Sequence, residues 1–310
     1  MVDTSTLKLE AVRPDQLEAL AAIHARSAQT LGDPLEISRE DLQNMLTWER
    51  MGPQGVQTVL EEDRVVGFLR YGRFLDAREP TVLAIVTVDP DFRDAGVADW
   101  VYEQVRARAR ADGAQFLDTI VDSRDRDARE FLGRRDFKEL VSIWTLEADP
   151  DFAPAEAPRV PMGFRVKPYV EGQDAPLAAA MINRVFERHA SFVPVQPSEA
   201  QGIENHPAFS AKLSFFLESD AGEVVAFARN TIRGDQRDAW IEMVGVVPEY
   251  QGRGLGRFML LQCMYVLAQA RPRSIRLNVE GTNERARSLY DSEGFMEMRT
   301  RIRFRKSLAE

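Results

Sequence analysis

The sequence predicts an α+β fold built twice: two tandem domains, each a mixed, mostly antiparallel sheet flanked by helices. Three observations lead there. First, landmark residues recur at one spacing: Pro90 and Pro248, Gly96 and Gly254, Ala128 and Ala286, and Phe137 and Phe295 are each 158 residues apart. An ungapped spacing over that stretch marks an internal repeat. An earlier pair, Val12–Pro14 and Val166–Pro168, is 154 apart, which places a small insertion in the second copy. Second, strand-like runs precede one strand–turn–helix–strand unit in each copy, the order of an antiparallel sheet that acquires a parallel pair. Third, 310 residues are too many for one small core and suit two domains.

Each copy opens on a short strand, Leu7–Val12 or Phe164–Lys167. Helical periodicity follows at Asp15–Arg26 and Ala175–Arg188, then near Arg39–Arg50 and Ser198–Asn205. Alternating or β-branched runs read as strands at Gln57–Glu61, Val65–Phe74 and Thr81–Val88, and again at Leu213–Glu218, Val224–Ile232 and Ala239–Val247. The stretches EEDR and SDAGE suit hairpin turns. A glycine-rich turn then opens an amphipathic helix, Val97–Ala111 or Leu255–Ala270. Phe116–Val121 and Ser274–Val279 read as the next strands, Asp127–Gly133 and Glu284–Ser292 as short helices, and a hairpin is expected to end each copy. Domains are thus expected at 1–148 and 163–310, joined by a Pro-, Ala- and Asp-rich linker at 149–162.

Composition narrows the function classes. Hydrophobic residues make up 44% and charged residues 29%, as in soluble globular proteins. No apolar run approaches the ~20 residues of a membrane span, and MVDTSTLKLEAVRPDQ lacks a charged-then-apolar leader. No membrane partner is expected, and the expected location is cytoplasmic. A single cysteine, Cys263, excludes an intrachain disulfide framework and fits a reducing compartment. Its context, LLQCMYV, is a helix face, which makes it a core residue. His24, His189 and His206 show no metal-ligand spacing, so no metal is expected. A net charge of −9 argues against nucleic acid as the main partner. The same charge suits a cationic substrate, and equally serves solubility alone.

The chemistry concentrates in QGRGLGR, Gln251–Arg257. Glycines permit positive φ and close approach of backbone to a ligand. The following helix turns its unpaired N–H groups and positive dipole end into the turn, which makes an anion site suited to phosphate. Arg253 and Arg257 add charge. A P-loop would need Gly-Lys-Ser/Thr, which is absent. A dinucleotide fingerprint would need glycine where Arg257 stands, and hairpin-like strands come first. Nearby, Glu242 is a lone carboxylate in the apolar strand AWIEMVGV, either a substrate-facing base or a solvent-facing residue. Its parity with Trp240 and Val244 predicts one shared face.

The turn VxPxxQGRGLG, with Asn283, Ala286, Leu289, Tyr290 and Gly294-Phe295 downstream, resembles the GNAT superfamily of acyl-CoA-dependent N-acyltransferases. The family motif [QR]-x-x-G-x-[GA] is filled by Gln251, Gly254 and Gly256, and in the first copy by Arg93, Gly96 and Ala98. The resemblance covers most of each copy and implies a tandem, two-domain member. It implies coenzyme A as acetyl-CoA, its pyrophosphate on Gln251, Gly252, Arg253, Gly254, Leu255, Gly256 and Arg257. It also implies a pantetheine arm bonded to backbone near Val244 and Val246, where two strands splay apart. Tyr290 fills the family's thiolate-protonating position, and Asn283 would position the cofactor arm or the Tyr290 helix. Glu242 is the candidate base, although many family members carry that base where Trp240 stands. Glu218 and Glu249 are weaker candidates, and Arg285 or Arg287 could approach the nucleotide's ribose phosphate.

The copies are unequal. Constant spacing sets Ala84 against Glu242, Leu132 against Tyr290, Asp125 against Asn283 and Asp136 against Gly294. In the turn, Asp94, Ala95 and Asp99 replace Gly252, Arg253 and Arg257. Like charge then opposes a pyrophosphate, so the first copy is expected to be degenerate and the second catalytic. The expected reaction is N-acetylation of a small-molecule primary amine by direct attack. Val185–Pro207, with Phe186, His189, Phe192 and His206, is expected to shape the acceptor pocket. An acyl-CoA-binding sensor or scaffold, and transfer of another acyl group, remain open alternatives. Either a monomer or a homodimer fits.

Overall fold

The computed structural model describes residues 4–33, 37–46, 51, 54–189, 192–233 and 238–309. It forms two compact units: Met1–Ser142 with Arg301–Glu310, and Ile143–Thr300. In the first, β1 (Leu7–Ala11), β2 (Val56–Glu61), β3 (Arg64–Phe74) and β4 (Thr81–Val88) pair antiparallel in chain order. Helices α1 (Leu17–Thr30) and α2 (Arg39–Met45) separate β1 from β2. Helix α3 (Val97–Ala111) then crosses to β5 (Phe116–Asp122), which lies parallel to β4. Helix α4 (Arg126–Gly133) and strand β6 (Lys138–Ala148) complete the first copy.

The second copy repeats the order. It runs β7 (Phe164–Pro168), α5 (Ala175–Phe186), α6 (Pro197–Glu204), β8 (Phe215–Ser219), β9 (Val224–Arg233) and β10 (Asp238–Val246). Then come α7 (Leu255–Ala268), β11 (Ser274–Glu280), α8 (Glu284–Ser292) and β12 (Met296–Ser307). Strands β7 to β10 are antiparallel neighbours, and β10 lies parallel to β11. The predicted α+β class and both strand–turn–helix–strand units are present. Of the helix expected near Arg39–Arg50, Arg39–Met45 is helical, opened by Ser38, which accepts from the Asp41 amide; residues 47–50 lie outside those described. Among the described residues no helix is long and apolar enough to cross a membrane.

Helix α7 shows why these segments fold where they do. Leu255, Phe258, Met259, Leu260, Cys263, Met264 and Leu267 recur at three- and four-residue steps and are all buried. They join Phe216, Ala226, Ile241 and Ile275 in the core of the second unit. Cys263 is fully buried, as a core residue should be. Asp125 and Asn283 start α4 and α8 by accepting from the Ala128 and Ala286 amides at 3.0 and 3.1 Å. Such caps are worth ~1 kcal/mol each.

The ends of the copies depart from expectation. Instead of a hairpin, each copy finishes in one long strand, and the two strands are exchanged between the units. Arg301–Ser307 of β12 runs antiparallel to β5 in the first unit, and Ile143–Ala148 of β6 runs antiparallel to β11 in the second. The compact units therefore differ from the sequence halves 1–148 and 163–310, and residues 149–162 lie within the second unit.

Charge explains the choice of partner strand. Asp118 sits directly opposite Arg305, and Arg276 directly opposite Glu147. Asp118 is fully buried and accepts from Arg303 Nε at 2.7 Å and Arg305 Nε at 2.8 Å. Arg276 Nε donates to Glu147 at 2.6 Å, and its Nη1 lies 2.8 Å from Asp238. Asp118 and Arg276 hold the same place in the repeat, as do Glu147 and Arg305. Without exchange, Asp118 would face Glu147 and Arg276 would face Arg305. Like charges directly opposite are destabilising, so the sequence specifies the exchange by opposing charges. Removing one partner of such a buried pair costs about 3 kcal/mol or more. Asp118→Arg is therefore expected to lose about that much unfolding free energy in urea, and adding Arg305→Glu to restore part of it. A double variant as unstable as the sum of the two single variants would show that charge does not select the strand.

Candidate functional site

The site forms where β10 leaves β11. The two strands pair only through Asp238–Ile241 against Ser274–Leu277, yet β10 continues to Val246 and β11 to Glu280. From Glu242 onward one edge of β10 is unpaired on that side. The Val247 amide bonds to Val225 O on β9 at 2.9 Å. Backbone groups alternate sides along a strand, so Val244 and Val246 present theirs to the gap. Gln251 holds the rim: its Nε2 donates to Val246 O at 2.9 Å.

The turn that follows aims a helix end at this gap. Gly252 and Gly254 have φ of 81° and 79°, a region that costs other residues ~1–2 kcal/mol. Gly254 is the N-cap of α7, with no side-chain cap, and a Cβ there would meet nothing within 4 Å. The glycine is needed by the backbone, and it leaves the helix mouth open. Phe258 is the first amide to bond back, to Gly254 O at 3.2 Å, so the amides before it point outward unbonded within the helix. Buried Leu255 anchors the turn, and Gly256 faces Leu289 of α8. Arg253 donates to Glu249 O at 3.2 Å and stacks on Tyr250. Arg257 is ion-paired with Glu293 and bonded to Ser292 Oγ. Arg285 lies beside Gly252, whereas Arg287 is held by Asp291, Glu297 and the Trp144 ring. The turn itself, Gln251–Arg257, carries no carboxylate, although Glu293 meets Arg257 at its edge, and its outward amides are of the kind that suits an anion.

Glu242 is placed by a β-bulge. Ile241 pairs with Asn230 and Met243 with the adjacent Arg229, leaving Glu242 as the extra residue. The predicted shared face of Trp240, Glu242 and Val244 is corrected here. Glu242 lies with Trp240, on the side of Thr231 and Arg233, but the bulge shifts parity and turns Val244 to the opposite side. Its Oε1 accepts from Arg233 Nη2 at 2.6 Å and from Thr231 Oγ1 at 2.8 Å. Burial pushes the carboxyl up, but Arg233, Arg229 and the two hydrogen bonds outweigh it and hold it below its ordinary 4.5. Glu242 is thus an ionised, paired carboxylate at neutral pH.

Tyr290 belongs to the other face. Gly245 packs against Val185 of α5, which marks the α5 face of the sheet as that of Phe227, Arg229, Thr231 and Arg233. Asn230 points oppositely, toward Cys263 of α7. Tyr290 stands in the field of Cys263 and packs at 5.9 Å on Phe295. Burial, then Cys263, pushes its phenol up, so it keeps its proton throughout the neutral range. Glu242 and Tyr290 therefore stand on opposite faces of the sheet. Asn283 contributes by capping α8, the helix that carries Tyr290. Glu218 is ion-paired with Arg165, and exposed Glu249 lies 3.5 Å from Arg184. His189 sits 3.7 Å from Glu280, while His206 Nδ1 is taken by the Ala208 amide at 3.1 Å. Residues 190 and 191 of the expected acceptor loop lie outside those described. A separate hollow of about 580 Å³, lined by Asp149, Pro154, Arg271 and Arg273, lies at the other end of α7 and includes none of these groups.

The first unit repeats the frame. Gly96, at φ 78°, caps α3, and β4 pairs with β5 only through Leu83. Asp94 and Asp99 stand in its turn, and Arg93 reaches back to Ser27 Oγ and Thr30 Oγ1 on α1. Leu132 is buried where Tyr290 stands in the second copy. Ala84 is not the counterpart of Glu242. Ala84 lies opposite Tyr71 as Ile241 lies opposite Asn230, and Leu83 lies opposite Asp118 as Trp240 lies opposite Arg276. Strands β3 and β4 pair without a bulge, so Glu242 has no equivalent. The bulge could not be read from the sequence because the landmarks of constant spacing begin beyond it: equivalent residues are 159 apart at Phe74 and Arg233, 157 apart at Thr81 and Asp238, and 158 apart from Pro90 and Pro248 onward. Arg229, Thr231 and Arg233 also escaped the sequence reading, since polar residues on alternate positions look like a solvated strand face.

Comparison with known proteins agrees with this geometry. The model of the Acetyltransferase (GNAT) family matches residues 18–137 and 182–295. A mycothiol acetyltransferase of Kytococcus sedentarius is 27% identical over 303 residues, covering 92% of each chain. One from Kocuria rhizophila is 28% identical over 307 residues, covering 94% of this chain and 95% of its own. Among solved structures, a GCN5-related N-acetyltransferase from Sphaerobacter thermophilus superposes with a TM-score of 0.79 at 20% identity, covering 99% of this chain and 97% of its own. A tandem GNAT protein from the clavulanic acid biosynthesis pathway does so at 0.75 and 17%, covering 98% and 99%.

One contact beside the turn is inverted between the copies. Arg257 and Glu293 are ion-paired in the second, and Asp99 and Arg135, at the same repeat positions, are ion-paired in the first. Arg257→Glu is expected to lower stability by up to ~1 kcal/mol, the range for a partly exposed pair. Adding Glu293→Arg reproduces the charge order of the first copy and is expected to recover most of that loss in a double-mutant cycle.

Proposed function

This chain belongs to the Acetyltransferase (GNAT) family, an acyl-CoA-dependent N-acyltransferase. On that premise we propose that its second unit moves an acetyl group from acetyl-CoA to the primary amine of a small molecule, by direct attack. The observation that supports this most is the open, amide-lined mouth of α7 beside the unpaired edge of β10. Gln251, Gly252, Arg253, Gly254, Leu255, Gly256 and Arg257 would hold the pyrophosphate of coenzyme A, chiefly through backbone amides. Val244 and Val246 would pair with its amide arm, and acetyl-CoA supplies the activated acyl group. The relatives named mycothiol acetyltransferase support a small-molecule acceptor.

The chain's own residues then divide the proton work. The amine reaches the gap from the α5 face and Tyr290 faces it from the α7 side. As the N–C bond forms and the C–S bond breaks, the Tyr290 hydroxyl gives its proton to the leaving thiolate; the nitrogen sheds its second proton to solvent, and Tyr290 recovers a proton from solvent. A phenol pushed up by burial keeps that proton available. Glu242 draws the ammonium to the gap and takes its proton on the way to solvent. Its depressed pKa makes it a weak acceptor, so deprotonation follows the amine's own titration. The first copy, with Asp94 and Asp99 in its turn, would not hold the pyrophosphate.

Calorimetry is expected to find one acetyl-CoA site per chain, lost in Gly254→Asp and kept in Gly96→Asp. The opposite pattern, or no binding, would reject this reading. Binding without acetylation of any amine would instead indicate a sensor, and product masses with several acyl-CoA donors test the acetyl preference. Tyr290→Phe is expected to lower kcat about 10²-fold with acetyl-CoA affinity unchanged. Glu242→Gln is expected to lower kcat/KM about 10²-fold, and the acid limb of the wild-type profile to track the acceptor amine's pKa. An acid limb fixed near the carboxylate range for every acceptor would make Glu242 the rate-setting base.

A further inference from the structure

Arg229 carries a charge that the fold leaves unanswered. It is half-buried on β9, opposite Met243 and beside the bulge that holds Glu242. Among the described residues no hydrogen bond or ion pair reaches its guanidinium; it feels Glu242, Tyr169 and Arg233 only at longer range. Its neighbours are engaged elsewhere. Glu242 is bonded to Arg233 and Thr231. Tyr169 donates to Glu204 at 2.6 Å, and Glu204 also accepts from the Gly172 amide and from Gln201. Two guanidinium groups thus share one carboxylate on the α5 face. Burial, and after it Arg233, weaken the charged form of Arg229, and Glu242 and Tyr169 restore it only in part. A desolvated guanidinium without a partner is costly, and its planar fork matches a carboxylate with two parallel hydrogen bonds.

We propose that Arg229 is an acceptor-binding residue that receives a carboxylate of the amine substrate. The acceptor class is then an amine of amino-acid type, its carboxylate on Arg229 and its ammonium toward Glu242. Two opposite charges on the substrate meet two opposite charges on the protein, which fixes the orientation of the amine at the gap. This rests on the transfer reaction proposed above.

The test offers acetyl-CoA with the twenty common L-amino acids, their carboxamides and the matching decarboxylated amines, and follows thiol release. Wild type is expected to take at least one amino acid with kcat/KM about tenfold or more above its carboxamide. Arg229→Met is expected to raise KM for that amino acid about tenfold or more, leaving the carboxamide's KM, acetyl-CoA affinity and Tm unchanged. Arg229→Lys, which keeps the charge without the fork, should recover part of the loss. Indifference of the wild type to the carboxylate, acetylation only of amines outside this class, or equal loss on both acceptors in Arg229→Met would overturn the proposal. Calorimetry of the amino acids alone on wild type and Arg229→Met reads the subsite directly. A missing acetyl-CoA site with intact, Arg229-dependent amino-acid binding would therefore fault the transfer reaction and spare the subsite.

Discussion

The left-handed backbone at Gly254 is the constraint on which the site depends. It lets the chain leave β10, turn within a few residues and start α7 with its amide end toward the gap between β10 and β11. Any side chain at that position would oppose the φ of 79°. A polar cap would also consume the amides that the turn leaves free. The same constraint recurs at Gly96, so both units keep the frame even though their turns differ in charge.

A second constraint acts through electrostatics. Asp118 against Arg305 and Arg276 against Glu147 determine which final strand completes which sheet. The inverted pair beside the turn, Arg257–Glu293 and Asp99–Arg135, follows the same pattern. Two copies of one domain in one chain must avoid wrong pairing between near-identical elements. Opposed charges at matching positions do this at sites where hydrophobic pattern alone cannot distinguish the copies.

The difference in chemistry between the copies is concentrated at a few positions. One extra residue in β10 brings a carboxylate, Glu242, to the start of the strand gap, within reach of Thr231 and Arg233. Tyr290 replaces a buried leucine on the opposite face. The two groups come from a strand and a helix far apart in sequence, one on each face of the sheet. The proposed transfer reaction uses that arrangement, in which a nucleophile and a leaving group meet a carbonyl carbon from different sides.

The sequence alone determined the repeat, the α+β class, the order of elements and the anion turn. These are written in local signals: constant spacing, alternating or helical apolar periods, and glycines where φ must be positive. It also located Tyr290 and Asn283, through the motif downstream of the turn. Tertiary structure decided the rest. The exchange of β6 and β12 depends on charges 187 and 129 residues apart in the chain, Asp118 with Arg305 and Glu147 with Arg276. The bulge at Glu242 lies before the first landmark of constant spacing, Pro90 and Pro248, so nothing in the repeat pattern marked it. The unanswered charge of Arg229 exists only once β10 lies beside β9 and α5 packs on that face, because burial and pairing are properties of the assembled fold and of no single segment.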